Sequence, residues 1–159
     1  MIKQLKSFAH AFNGVWLALK EESHLRFHFV AALYVIVFSF GFDLSAVQWA
    51  IVLLLIAGVI GAELFNTALE RLSDKVTLEY DKDIKYVKDL SAAAVLVFSA
   101  AAVVVAFLFY FNLDKISKIY VFIIGRPWLL ILFIVSLIIS IAFICIGPTG
   151  TKLSGKFKK

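Results

Sequence analysis

Glu63, Asn66, Glu70 and Asp74 follow one another at spacings of three, four and four residues. At about 100° per residue they fall on one narrow stripe of a helix. They sit at the end of a long apolar run, where an ionisable side chain costs roughly 2.5–3.5 kcal/mol at the centre of a bilayer helix. Such a stripe persists only if it faces protein, water or a cation. Two polar pairs reach the same boundary: Glu21-Glu22 before the first apolar block and Lys88-Asp89 at the start of the third. Clustered carboxylates repel unless a cation lies between them, and Mg²⁺ is usually held by one or two carboxylates plus substrate phosphates. The set therefore suits a metal-bound nucleotide. Glu63, deeper in the apolar run than Glu70, is the candidate general base toward a lipid alcohol. Lys88 is placed to neutralise transferring phosphoryl oxygens, and Asp89 to orient Lys88 or a ribose group.

The elements that carry these residues are set by composition. Of 159 residues, 62% are hydrophobic, and the mean hydropathy is +0.96. Both exceed what a soluble domain shows, so the chain reads as an all-α integral membrane protein. Residues 47–69, 90–111 and 128–146 are long enough to cross about 30 Å of hydrocarbon. A shorter block, 27–42, extends back through Leu25 with Arg26 and His28 at headgroup level, making four expected spans. Residues 2–19 place Ile2, Leu5, Phe8, Phe12, Trp16 and Leu19 on one side of a surface helix. That helix either lies in the membrane interface or packs against the spans. Residues 76–86 form a polar connection, a short ordered loop or helix, and 112–127 form the loop before the last span. The small residues of 90–94 are expected to pack against the stripe.

Lysine and arginine number thirteen in the first, third and last extramembrane segments and three on the opposite side. The positive-inside rule then puts both termini in the cytoplasm, and the stripe at the cytoplasmic face of the inner membrane. Residues 1–20 lack the core of a cleavable signal, so the N-terminus is expected to be retained. The net charge of +5 follows membrane topology and offers no nucleic-acid patch. His10, His24 and His28 lack metal-ligand spacing, and the lone Cys145 is an inert thiol. Residues 147–152 only superficially resemble a phosphate-binding loop, because the second glycine does not adjoin the lysine.

The run Glu63-x-x-Asn66-Thr67-Ala68-Leu69-Glu70, followed by Lys88-Asp89 and a small-residue stretch, resembles the small prokaryotic diacylglycerol kinase family, which includes the undecaprenol kinases. The resemblance covers residues 5–111 and implies an ATP- and Mg²⁺-dependent kinase of a membrane lipid alcohol. It also implies an N-terminal surface helix, three spans, and a homotrimer in the bilayer with sites between subunits. By the same resemblance Glu63 matches the catalytic base. Glu22 and Glu70 match the metal carboxylates, with Glu21 as the alternative one residue away. Asn66, Lys88, Asp89 and Arg26 match the polar surroundings of the nucleotide, and Asp74 extends the stripe. Residues 1–111 would be the kinase domain; 112–159 add a loop, a fourth span and a basic tail beyond the family pattern. The competing readings are a small proton-coupled transporter and a non-catalytic lipid-binding scaffold.

Overall fold

The computed structural model describes residues 2–148, so the basic tail lies outside the described residues. Six helices follow one another: α1 (Ile2–Glu21), α2 (Ser23–Ser39), α3 (Ala46–Val76), α4 (Lys82–Tyr110), α5 (Leu113–Ile124) and α6 (Pro127–Ile146). Three of them, α3, α4 and α6, are long and apolar enough to cross a membrane. The protein is thus an all-α, multi-pass membrane protein. α2 has 17 residues, about 25 Å of helix, and is shorter than the expected full span. α1 precedes it and the turn at residues 40–45 follows it.

α3 starts at a capping box in which Ser45 Oγ accepts from the Gln48 amide at 3.3 Å and Gln48 Oε1 accepts from the Ser45 amide at 2.9 Å. Its 31 residues make a rod of about 46 Å, longer than the roughly 30 Å of hydrocarbon a span must cross. α4 starts at Asp81, whose carboxylate accepts from the Asp83 and Ile84 amides. Residues 82–86 of the expected connection are therefore the first turn of α4, and only 77–81 link the two helices. α3 and α4 form the principal antiparallel pair. Gly58 permits their close approach: a Cβ there would lie 2.6 Å from the Phe98 ring.

The loop expected at 112–127 is largely helical. Asn112 caps α5 by accepting from the Lys115 amide at 3.0 Å, and Pro127 opens α6 without needing an amide donor. α5 folds against the turn between α2 and α3, where Lys115 Nζ donates to the Phe42 carbonyl. α6 lies against α2 and α5, with the Tyr34 hydroxyl bonded to Ser136 and Ser140 at 2.9 and 3.1 Å. On α1, Leu5, Phe8 and Phe12 are exposed, so this face does not pack against the spans.

Among the described residues the buried set holds seven polar side chains and five apolar ones. Water-soluble cores have the opposite balance. Arg26, expected at headgroup level, is fully buried, because backbone carbonyls of two helices supply acceptors that water would otherwise provide.

Two glycines test the packing. Gly14 lies mid-helix with nothing near its missing Cβ, so Gly14→Ala should raise stability by up to about 1 kcal/mol through helix propensity. Gly58→Ala should instead lower it by about 1–3 kcal/mol, since the methyl displaces Phe98. Thermal unfolding in detergent measures both; shifts of the same sign would contradict the tight α3–α4 approach.

Candidate active site

The stripe faces inward along one side of α3. Glu63, Asn66, Thr67 and Ser73 are buried, whereas Glu70 and Asp74 are partly exposed toward the helix end. Asn66 anchors the group. Its Nδ2 donates to Glu70 Oε1 at 3.2 Å, and its Oδ1 accepts from the Ser91 hydroxyl on α4 at 2.7 Å. The amide is therefore held from both sides, and its oxygen and nitrogen are distinguished by their partners. One turn before Ser91, Lys88 donates to Asp74 Oδ1 at 2.5 Å. Asp89 is exposed.

Glu22 comes to this cluster from the junction of α1 and α2. It is the single residue between the two helices, extended at φ −105° and ψ 115°. Burial, and then the charge of Glu70, push its carboxyl above the usual carboxylate range; Glu63 adds to the effect, while His24 and Arg26 oppose it. The three carboxylates Glu22, Glu63 and Glu70 thus lie within electrostatic reach of one another. Glu21 points elsewhere and pairs with Arg71 on the outer side of α3, with both side chains half exposed. Of the two adjacent glutamates, Glu22 is the one within electrostatic reach of Glu63 and Glu70.

Arg26 stands apart. Its guanidinium is taken up by the carbonyls of Leu19, Lys20 and Ile144, not by the cluster around Asn66. Ser91 is the polar partner that sequence reasoning treats only as a small packing residue; its one available signal is the three-residue spacing from Lys88, which puts both on one face of α4. No group of three or more His, Cys, Asp or Glu side chains among the described residues is arranged to hold a metal unaided. The donor set offers carboxylate oxygens from two elements, an amide and one ammonium. That combination can share a cation with phosphate oxygens and can take a proton from a hydroxyl.

Comparison with known proteins identifies the family. Residues 9–110 match the family model described as prokaryotic diacylglycerol kinase. The chain is 37% identical over 105 residues to the undecaprenol kinase of Bacillus subtilis, an alignment covering 66% of this chain and 85% of that protein. It is 36% identical over 102 residues to the diacylglycerol kinase of Synechocystis, covering 64% of this chain and 58% of that one. No solved structure matches the chain. With the family model covering well over half its length, the chain belongs to the prokaryotic diacylglycerol kinase family.

Proposed function

We propose that the protein transfers the γ-phosphoryl group of ATP to the hydroxyl of a membrane lipid alcohol, undecaprenol or diacylglycerol, at the cytoplasmic face of the inner membrane. Membership of the family makes the protein a lipid kinase. The observation that most supports the finer reading is the electrostatic proximity of Glu22 to Glu70 and Glu63. Carboxylates brought together from separate elements oppose each other's ionisation, a disposition that a divalent cation relieves.

In this reading Glu63 accepts the proton of the lipid hydroxyl as its oxygen bonds to the γ-phosphorus. The bond from that phosphorus to the bridging oxygen breaks, and ADP leaves with the electron pair. Glu22 and Glu70 would hold Mg²⁺ together with phosphate oxygens; when bound, the ion neutralises their charge. Asn66, fixed between Ser91 and Glu70, orients the phosphate side of the site. Lys88 sits beside Asp74 with its ammonium at the same end of α3, where it can stabilise the transferring group. The charge asymmetry of the sequence supports cytoplasmic termini. Residues 1–111 form the kinase domain in this reading, which the extent of the family match supports. A homotrimer with sites between subunits completes the proposal.

Purified protein supplied with Mg-ATP should phosphorylate undecaprenol or diacylglycerol in a side-by-side assay. Absence of turnover on both, or substrate-driven proton flux without ATP, would overturn the kinase mechanism. Glu63→Gln should retain Mg-nucleotide binding and lose about 10²–10⁴-fold in kcat, the contribution expected of a general base. An unchanged kcat would remove Glu63 from that role. Glu70→Gln should raise the half-saturating Mg²⁺ concentration, and an unaltered metal dependence would count against it as a ligand.

A further inference from the structure

Arg26 makes four hydrogen bonds, all to backbone carbonyls. Nη1 donates to Leu19 at 2.9 Å and Lys20 at 3.1 Å, while Nε and Nη2 donate to Ile144 at 3.0 and 2.9 Å. These acceptors belong to the last turns of α1 and α6. A helix end carries unsatisfied carbonyls and about half a unit of negative charge. One buried cation therefore joins two negative helix ends. The guanidinium fork spans both; an ammonium, as a point charge, cannot reproduce that geometry.

What this joint fixes lies one turn away. Glu22 is the only residue between α1 and α2. The Leu19 and Lys20 carbonyls hold its N-terminal side, and the Arg26 amide bonds back to the Glu22 carbonyl at 3.3 Å. The far side of the joint is shaped by Gly147, which ends α6 at φ 79°. A Cβ at Gly147 would lie 3.3 Å from Arg26 Nη1, so the chain turns past the guanidinium only because the side chain is absent. The final residues of α6 are thus coupled to the α1–α2 junction across 118 residues of sequence.

We propose that Arg26 is a positioning residue which, through the carbonyl end of α6, makes the carboxy-terminal helix part of the frame that holds Glu22 toward Glu70. The proposal rests on Glu22 being a metal carboxylate. α6 then contributes to cation binding without touching the cation. Its second attachment, Tyr34 to Ser136 and Ser140, is eight residues further along α2, about 12 Å away, and is independent of the junction.

The test titrates free Mg²⁺ at fixed ATP and lipid in the full chain and in E22Q, R26K, G147A and Y34F, and in parallel measures Mn²⁺ binding to each protein with ADP by electron paramagnetic resonance, where the same pattern of shifts is expected without turnover. R26K and G147A should raise half-saturating Mg²⁺ about tenfold, as loss of a group supporting a metal ligand does, with the lipid KM unchanged. E22Q should raise it as well, and Y34F should leave it where it is. A shift in E22Q with R26K and G147A losing only turnover would overturn the proposal and spare the Glu22 assignment. No shift in E22Q overturns both. An equal shift in Y34F would mean that α6 acts through general packing, which also overturns it. Should R26K fail to fold, G147A, which keeps the guanidinium and sets a methyl against it at the end of α6, decides the matter.

Discussion

Hydrocarbon is as apolar as leucine, so helices in a bilayer gain little by hiding aliphatic surface against one another. Association must come from close approach and polar joints, and each helix here is fastened in one of those ways. Arg26 ties α2 to the ends of α1 and α6, and Tyr34 ties α2 to the middle of α6. Ser39 and the Tyr110 hydroxyl join α2 to α4, Lys115 joins α5 to the α2 end, and Asn66–Ser91 with Lys88–Asp74 joins α3 to α4. The predominance of polar side chains in the buried set follows directly.

The same constraint gives the candidate site a double character. Asn66 is at once a fastening between α3 and α4 and, in the proposed mechanism, the orienting group beside Glu70. In a soluble enzyme these duties can be divided, because an apolar core holds the scaffold. Here the scaffold and the site share side chains, which keeps the site rigid where the helices meet.

Much of this was legible in the sequence, for identifiable reasons. The stripe on α3 stands out because polar residues at helical spacing interrupt an apolar run. Hydropathy located α3 and α4 but not where α4 begins, since it registers only the part in hydrocarbon; α4 starts at Lys82, eight residues before its apolar stretch, whereas the spacing of the stripe carries α3 through Asp74. α5 was hidden because twelve residues with interspersed lysines resemble a loop until Asn112 is seen to cap them. The placement of Arg26 had no signature at all. Its acceptors are main-chain carbonyls, which every residue possesses, and Ile144 among them is an unremarkable apolar side chain.

α3 runs unbroken from Ala46 to Val76, and seven residues of it separate Glu63 from Glu70, a rise of about 10 Å. With the first proposed to face a lipid hydroxyl and the second a phosphate-bound ion, the helix would act as a depth gauge. On the proposed mechanism it would set how far below the nucleotide an alcohol must present itself, whatever chain trails behind it. Selection by vertical position would let one rigid rod accept lipids of quite different tails while ignoring alcohols that ride higher in the leaflet.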